Sequence, residues 1–224
     1  KKFYNEKIIF FSMQYFVNTS VLLILKKLKN LKFFIHEINH PIELSYSNNI
    51  VEFFKKNIIR FLVSKVYKNA HIVSSNSKET SLELNRICRC KVLTILNPSF
   101  IKKKIKRQKY SKKNILKILN IARLEKQKDH LTLLKGIKNS LIKDKLKLTI
   151  LGNGSMKNQI LNYADKNKIN IKIIENETNL QKYYLSNDIF IFSSIYEGMP
   201  TVLIEAASYR LPIISSNFTS GAKE

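Results

Sequence analysis

Two glutamates, Glu197 and Glu205, stand eight positions apart in the stretch "SSIYEGMPTVLIEAASYRLPIISS" (residues 193–216), in a chain with only 16 acidic residues among 224. Such carboxylates are either solvated or held toward a ligand. Pro200 fits the first position of a helix, whose free N–H groups and positive dipole end favour an anion. Glu205 follows about 7.5 Å along the helix axis and could reach a sugar attached to a diphosphate at that helix end.

Two cationic side chains, Arg123 and Lys128 in "ARLEKQKD", follow a strand-like run and could neutralise the same diphosphate. Arginine would act as a bidentate fork and lysine as a point charge. The sequence contains no D-x-D pattern, so it does not support a divalent metal held by carboxylates, and we expect no metal ligands. Cationic side chains and the helix end would then stabilise a leaving diphosphate.

A glycine-containing stretch, Gly152-Asn153-Gly154, follows one strand-like run and precedes a helical one. Glu175 ends the next strand-like run about 20 residues later, a spacing that is also typical of a dinucleotide-binding fold. Lys157 stands where that fingerprint has its third glycine. The dinucleotide interpretation is therefore an incomplete rival, because a lone G-x-G is a weak pattern.

These residues stand near the ends of strands in a regular alternation of strand and helix patterns. The alternation is typical of a parallel sheet with helices on both faces, which binds ligands beyond the carboxyl ends of its strands. In the second half of the chain we predict strands at 115–122, 147–151, 169–174, 188–194 and 212–216, and helices at 130–143, 155–167, 178–186 and 200–209.

The first hundred residues repeat this alternation. We predict strands at 7–11, 32–37, 71–75 and 91–96, and helices at 19–30, 50–68 and 77–86. Between the halves, residues 102–113 carry eight basic side chains and no acid, which indicates a linker or surface loop. The predicted fold is α/β, with a partial Rossmann-like domain at 1–99, a basic linker at 100–114, a second Rossmann-like domain at 115–224 and a cleft between the two domains.

The net charge of +24 would ordinarily indicate a nucleic-acid partner. Only six of the 40 basic residues are arginine, however, and lysine is spread over almost every segment. Recognition of bases and phosphates favours the arginine fork, so we expect no specific nucleic acid. The expected effect of this charge is attraction to an anionic membrane surface.

Two further features bear on the compartment. Cys88 and Cys90 form a C-x-C without a second pair, which favours free thiols in a reducing compartment over a zinc site. Residues 8–25 lack charge and approach the length of a membrane span, but their polar side chains favour a buried strand followed by a capped helix. No secretory pattern precedes them. We predict a cytoplasmic protein, cut from a longer one at both ends, with the inner face of the membrane as a peripheral location.

Four stretches carry a resemblance to a known family. "SSIYEGMPTVLIEAASYRLPIISSNFTSGAKE" resembles the E-x7-E signature region of family 4 glycosyltransferases, which are retaining enzymes of GT-B fold. "NIARLEKQKDHLTLLKGI" is similar to their Arg-Leu…Gln-Lys segment, "LTILGNGSMKNQI" to their Gly-x-Gly segment, and "VYKNAHIVSSNSKE…KVLTILNPS" to the end of their acceptor domain. The similarity is strong over 115–224 and diffuse over 1–114. Asn153 replaces a common Asp of the family, and the family's N-terminal glycine-rich loop is not in this chain.

The resemblance implies roles for the matching charged residues. Arg123 and Lys128 would bind the diphosphate of the donor, and Glu205 its ribose. Glu197 would lie beside the transferred sugar. His36 in "FFIHE" ends a strand where many relatives have a functional histidine that faces the donor sugar, and His40 competes for that role.

The resemblance also implies that loop backbone encloses the donor. The residues concerned are Gly152, Gly154, Gly198, Met199, Pro200 and Thr201. The implied function is retaining transfer of a hexosyl unit from a UDP- or GDP-linked sugar to a glycan or polyprenyl-linked (lipid-linked) acceptor, in cell-surface polysaccharide synthesis. The nucleotide sugar is a substrate, and no cofactor is expected. The alternative is a catalytically inactive GT-B-like protein that binds polyanions or acts as a scaffold.

Overall fold

The computed structural model describes residues 8–25, 27–28, 30–47, 49–98 and 115–224. The linker predicted at 100–114 lies outside these residues. The chain forms two compact units, each with its own parallel sheet. The first unit consists of the described residues between 8 and 97 with Tyr196–Met199 and Thr219–Glu224, and the second of Pro98 and residues 115–195 with Pro200–Phe218.

The described residues of the first unit form four strands in the order β1-β2-β3-β4. They are β1 (Ile8–Met13), β2 (Leu31–Glu37), β3 (Ile72–Ser75) and β4 (Val92–Thr94), and all pair in parallel. The register sets His36 beside Met13 of β1 and Ser74 of β3. The carboxyl end of β2 therefore lies in the interior of the sheet, where both neighbouring strands flank it.

The helices that pack on this sheet are α1 (Tyr15–Leu25), α2 (Ile50–Val66) and α3 (Lys78–Cys88). Asn49 and Ser77 cap α2 and α3, because their side-chain oxygens accept the N–H groups of Glu52 and Thr80. Short 3₁₀ turns occupy Pro41–Ser45 and Tyr67–Asn69. The buried core joins one face of each helix to the sheet through Tyr15, Leu22, Phe33, Ile35, Val63, Val66, Tyr67 and Leu84.

The uncharged segment at residues 8–25 forms β1 and α1 rather than one continuous helix. No helix among the described residues is both long and apolar enough to cross a bilayer. The prediction of a buried strand was wrong, because β1 is at the edge of the described sheet and Ile9, Phe11 and Met13 are exposed. The helix also begins at Tyr15, four residues before the predicted start, after a left-handed Gln14.

In the second unit, the part of the chain that the structure describes forms five strands in the order β7-β6-β5-β8-β9. They are β5 (Leu116–Ile121), β6 (Leu146–Leu151), β7 (Ile171–Ile174), β8 (Ile189–Phe192) and β9 (Ile213–Ser215). All pairings are parallel. From β5, the strands β6 and β7 follow toward one edge of the sheet, and β8 and β9 follow toward the other edge. The switch point therefore lies between the neighbouring strands β5 and β8. In open α/β sheets this switch point forms a crevice at the carboxyl ends of the strands.

Helices pack on both faces of this sheet. They are α4 (His130–Lys138), α5 (Lys157–Lys166), α6 (Gln181–Ser186) and α7 (Thr201–Ser208), with 3₁₀ turns at Lys126–Lys128 and Lys143–Lys145. One core layer lies under α4 and α5 and includes Leu134, Leu148 and Ile160. The other lies under α6 and α7 and includes Tyr184, Phe190 and Ala206. This two-sided burial explains the apolar runs that indicated parallel strands.

The two short segments Tyr196–Met199 and Thr219–Glu224 belong to the first unit, although their neighbours in sequence belong to the second. The predicted domain ranges, 1–99 and 115–224, did not assign any later segment to the first domain. Hydrophobic periodicity identifies the element to which a residue belongs, but it does not show on which core an irregular segment packs.

Candidate functional site

The turn after β5 and the loop after β6 lie against each other at the carboxyl edge of the second sheet. The N–H of Leu124 donates to the carbonyl of Asn153 at 2.9 Å, and the carbonyl of Leu124 accepts the N–H of Met156 at 2.8 Å. Leu124 is buried, whereas Arg123 beside it is exposed. Backbone hydrogen bonds thus join the predicted Arg123 segment to the Gly-x-Gly loop.

Gly152 permits this close approach. Its φ is +154°, and a Cβ atom at this position would lie 1.9 Å from the carbonyl oxygen of Ala122. Its N–H donates to the carbonyl of Ile174 at 2.9 Å, which connects the loop to the end of β7. A side chain at residue 152 would therefore separate the two backbones.

An open groove of about 490 Å³ runs along these loops at the carboxyl ends of β5, β6 and β7. Three of the predicted site residues, Arg123, Gly152 and Gly154, border it; Lys128 and Glu205 are not among the described residues that line it. The lining consists of Ile121, Ala122, Arg123, Glu125, Leu151, Gly152, Asn153, Gly154, Asn176, Glu177 and Leu180.

Two carboxylates that the sequence analysis did not single out are part of this lining. Glu125 accepts the N–H of Ser155 at 3.0 Å and its hydroxyl at 2.8 Å, and these bonds lower the pKa of Glu125. Glu177 pairs with Lys182 at 2.6 Å and accepts the N–H of Asn179 at 2.9 Å, which together lower the pKa of Glu177 to about 2. Both side chains are ionised acceptors on the rim of the groove at neutral pH.

Lys128 lies at the switch point of the sheet. The N–H of Ile195 donates to the carbonyl of Gln127, and the hydroxyl of Ser193 donates to the carbonyl of Lys128, both at 2.8 Å. These bonds attach the 3₁₀ turn after β5 to the segment after β8. The Nζ atom of Lys128 is 5.7 Å from the ring centroid of Phe192, within the range of a cation–π interaction.

Glu205 is half-buried in α7 and bonded to a tyrosine from α6. The hydroxyl of Tyr184 donates to Oε2 of Glu205 at 2.8 Å. Burial, and then this bond to a carboxylate, raises the pKa of Tyr184 far above its usual range. The ring of Tyr184 is buried and stacks on Tyr209, with centroids 4.9 Å apart and planes 9° apart. The carboxylate of Glu205 is thus held by a donor that has little freedom to move.

The start of α7 differs by one residue from the prediction. Pro200 has extended backbone angles, with φ −70° and ψ 115°, and is the N-cap; Thr201 is the first helical residue. The carbonyl of Pro200 accepts the N–H of Leu203 at 3.2 Å. Proline fits either position, because neither requires its N–H, so the sequence alone did not decide between them.

The segment Tyr196–Met199, which contains Glu197, is held within the first unit. The ring of Tyr196 stacks on Tyr46, with centroids 4.9 Å apart. A Cβ atom on Gly198 would lie 1.9 Å from the carbonyl oxygen of Ile38, so only glycine allows this contact. Ile38 follows the carboxyl end of β2 by one residue, and Glu197 is therefore buried close to the strand end that bears His36.

Hydrogen bonds to backbone carbonyls complete this attachment. The hydroxyl of Ser220 donates to the carbonyl of Gly198 at 3.0 Å, and the amide of Asn97 donates to the carbonyl of Met199 at 2.8 Å. Ser220 is fully buried and also contacts the hydroxyls of Ser77 and Thr80 at the start of α3. Ser220 could not be predicted from the sequence, because a single serine outside any motif shows no pattern.

The two candidate histidines have different surroundings. Nδ1 of His36 is 2.8 Å from the hydroxyl of Ser74, which orients the ring at the end of β2. Nδ1 of His40 accepts the N–H of Ile42 at 3.2 Å and so caps the 3₁₀ turn Pro41–Ser45. Burial lowers the pKa of both imidazoles. His40 thus has a local structural role, whereas His36 is bonded to a neighbouring strand.

Across the described parts of the chain, no three histidine, cysteine, aspartate or glutamate side chains are grouped as ligands for a metal ion. Cys88 and Cys90 are free thiols, the first buried and the second half-buried.

The sequence also matches a known family. Residues 101–224 match the profile described as Glycosyl transferases group 1. This range includes the Arg123 turn, the Gly-x-Gly loop and the segment of the two glutamates.

Two curated proteins are similar over most of this chain. An uncharacterized glycosyltransferase of Methanocaldococcus jannaschii is 30% identical over 90% of this chain and 52% of its own length. The N-acetylgalactosamine-N,N'-diacetylbacillosaminyl-diphospho-undecaprenol 4-alpha-N-acetylgalactosaminyltransferase of Campylobacter jejuni is 30% identical over 85% of this chain and 52% of its own length. The chain therefore spans about half the length of the curated relatives it matches.

A solved structure shows the same fold. The crystal structure of a mutant of S. aureus TarM, in complex with fondaparinux, alpha-GlcNAc-glycerol and UDP, superposes with a TM-score of 0.70 at 20% identity, over 88% of this chain and 39% of that one. At this identity the likeness concerns the fold alone. The predicted GT-B fold class, with Rossmann-like parallel sheets, is confirmed.

Proposed function

This chain belongs to the glycosyl transferases group 1 family, and on that premise we propose that it is part of a retaining family 4 glycosyltransferase. The reaction is transfer of a hexosyl unit from a nucleotide diphosphate sugar to a glycan or a lipid-linked acceptor. The observation that supports this best is the clustering of three predicted donor segments along the carboxyl edge of the second sheet. They are the turn directly after β5, which bears Arg123, the Gly-x-Gly loop at residues 152–154, and the 3₁₀ turn Lys126–Lys128 at the switch point.

The donor nucleotide, UDP or GDP, binds along this edge. Arg123 and Lys128 contact its diphosphate, and the start of α7 adds N–H groups that favour an anion. Glu205 accepts hydrogen bonds from the ribose hydroxyls. The bond from Tyr184 fixes one oxygen of that carboxylate and leaves the lone pairs of the other for the sugar.

The chemical step replaces one bond to the anomeric carbon with another on the same face of the sugar. The bond from the anomeric carbon to the diphosphate breaks, and its electron pair goes to the diphosphate oxygen. The acceptor hydroxyl oxygen bonds to the anomeric carbon, and its proton passes to the departing phosphate. Arg123 and Lys128 stabilise the added negative charge, and no metal takes part. Glu197 and His36 contact the transferred sugar as positive charge develops on it.

Of these two acceptor classes, we infer that the chain uses the lipid-linked one. The Campylobacter jejuni relative is named for an acceptor on diphospho-undecaprenol, which supports an acceptor of this class. A cytoplasmic enzyme that acts at the inner face of the membrane would meet such an acceptor there. We place the reaction in the synthesis of cell-surface polysaccharide.

The full-length protein that contains this chain provides the test. Purified enzyme is incubated with a panel of UDP- and GDP-linked sugars and polyprenyl-diphosphate acceptors, and release of nucleoside diphosphate is measured. We expect release with one donor and only when an acceptor is present. No release with any combination would contradict the proposal and favour the inactive polyanion-binding alternative.

Separate substitutions of the two glutamates test the assigned roles. Because Glu205 binds the ribose before and during the reaction, Glu205→Gln should weaken binding of the free nucleoside diphosphate by about 1.5–3 kcal/mol. Glu197→Gln should leave that affinity nearly unchanged and lower kcat, since Glu197 acts on the charge that develops in the transition state.

Calorimetric titration and steady-state kinetics measure the two effects. Glu83→Gln is a matched control, because Glu83 lies on α3 in an ion pair with Arg86 at 3.3 Å. If the Glu197 and Glu205 variants both behave like this control, the donor-site assignment is wrong.

A further inference from the structure

The long helix α2 of the first unit presents an apolar surface to solvent. Its core side is formed by Lys56, Ile59, Val63 and Val66. On the opposite side, Ile50, Phe54, Ile58 and Phe61 follow one another at spacings of four, four and three residues, which places them on one helix face. They are 71%, 61%, 58% and 60% exposed. We call these four side chains the outer stripe.

An outer stripe of this kind requires an explanation. Single exposed apolar side chains are common, but a contiguous row that includes two phenylalanines indicates a surface that is covered in use. The stripe is about 16 Å long, because eleven residues at 1.5 Å each separate its ends. Phe53, half exposed, extends it on one side through an edge-to-face contact with Phe54, with centroids 5.8 Å apart.

The charged side chains of α2 beside the outer stripe are cationic, whereas Glu83 of α3 lines one groove with Arg60 and Phe61. Lys55, Arg60 and Lys65 border it and are exposed. The Nζ atom of Lys65 lies 5.5 Å from the ring centroid of Phe61, so the ammonium group stands at the edge of the apolar surface. The one acidic residue of the helix, Glu52, pairs with the buried Lys56 at 3.0 Å, toward the core side.

We propose that the outer stripe of α2 is a membrane-docking surface for a bilayer that contains anionic lipid. In the bilayer the apolar side chains enter the boundary between headgroups and acyl chains, and the bordering cations contact lipid phosphates. Lysine is depleted in the cores of protein interfaces, whereas beside a bilayer its long stem extends to the headgroups. The mixture of phenylalanine, isoleucine and lysine therefore fits a lipid surface better than a protein partner.

The inference goes beyond the proposed function and depends on it in one respect: a lipid-linked acceptor gives the enzyme a reason to reach the membrane. The docking surface lies on α2 and shares no residue with the donor site proposed above. Binding to vesicles can therefore be measured without any turnover.

Vesicle sedimentation with the full-length protein tests this inference. One set of vesicles contains phosphatidylcholine alone, and the other contains phosphatidylcholine and phosphatidylglycerol in equal parts. We expect binding to the second set, and at least a tenfold lower partition coefficient for Phe54→Ser/Phe61→Ser. The matched control is Leu82→Ser/Leu141→Ser, which removes two exposed leucines outside α2 and should bind like the wild type.

A second variant avoids any change in the apolar stripe. Lys55→Glu/Lys65→Glu keeps the four apolar side chains and should also lose binding to the anionic vesicles. Equal binding by the wild type and both α2 variants would overturn the inference. So would a dimer that dissociates in Phe54→Ser/Phe61→Ser while vesicle binding persists, because a second copy of the chain would then be the partner. Vesicle binding without glycosyl transfer would contradict only the proposed function, and transfer without vesicle binding only the docking surface.

Discussion

At the scale of single residues, the bond between Tyr184 and Glu205 connects the core of the second unit to its proposed donor site. Tyr184 is buried under α6 and α7, and its hydroxyl reaches Oε2 of Glu205 at 2.8 Å. The stacking on Tyr209 fixes the direction of the hydroxyl. If Glu205 binds the ribose as proposed, Tyr184 is a positioning residue that acts on the nucleotide through Glu205.

We expect Tyr184→Phe to keep the stacked ring and to weaken nucleoside diphosphate binding about threefold to tenfold, which corresponds to the loss of roughly one hydrogen bond. In a Glu205→Gln background the same change should have almost no effect, because the two groups act together. Calorimetric titration of the four proteins measures the coupling, and Tyr163→Phe on α5 is the control. Additive losses would contradict a role that runs through Glu205.

A buried carboxyl in the first unit makes stability depend on pH. Glu37 ends β2 and is fully buried; its Oε1 atom accepts bonds from the amide of Asn18 and the hydroxyl of Tyr67, and Oε2 has no partner among the described residues. Burial outweighs these bonds and raises the pKa of Glu37 to about 8. The folded state therefore binds a proton more tightly than the unfolded state does.

The contribution of Glu37 to stability should be complete below about pH 4.5 and should decline as the pH rises toward 8. The slope is at most about 1.4 kcal/mol per pH unit. Glu37→Gln retains an acceptor oxygen and cannot ionise, so it should remove this decline. The difference in unfolding free energy between variant and wild type, measured from pH 4.5 to 8.5, isolates Glu37 from other titrating groups. A difference that does not vary with pH would show that Glu37 is ionised in the folded protein.

At the scale of elements, the groove at the carboxyl ends of β5, β6 and β7 depends on how closely two loops approach each other. The loop after β6 lies on the turn after β5 because Gly152 has no side chain. Gly136, in contrast, has room for a side chain: it lies within α4, and a Cβ atom there would meet no atom within 4 Å. The two positions form a matched pair.

Gly152→Ala should destabilise the protein by about 3 kcal/mol or more, because the new methyl group meets a backbone carbonyl and the φ is unfavourable. Gly136→Ala should stabilise it by about 0.5–1 kcal/mol through helix propensity. Denaturant unfolding compares the two. Similar stabilities for both variants would mean that the two turns can separate without cost, and the groove would not depend on Gly152.

At the scale of the whole molecule, the net charge of +24 and the proposed donor site should make separable contributions to binding. Contacts between dispersed lysines and a polyanion release counterions, so their affinity falls steeply with salt. In the proposed function, binding of UDP or GDP depends also on the groove and on Glu205, and salt screens these local contacts less than it screens diffuse charge.

Between about 0.05 and 0.2 M salt, we expect heparin affinity of the full-length protein to fall by at least about a hundredfold and nucleoside diphosphate affinity to fall less than tenfold. Titrations at several salt concentrations give both slopes. Equal slopes for the two ligands would indicate that the nucleotide binds only through diffuse charge. That result would favour the polyanion-binding alternative over the enzyme.

The sequence by itself determined the order of strands and helices, the parallel sheets and the family. The reason is that these follow from local periodicity and from short motifs: most predicted elements lie within a few residues of the observed ones. Pairings between distant parts of the chain came only from the tertiary structure. They include the bond from Tyr184 to Glu205 and the attachment of Glu197 to the first unit through Gly198 and Ser220. The exposure of β1 also became known only from the tertiary structure. Each depends on which surfaces meet after the chain has folded, and no spacing within a single segment carries that information.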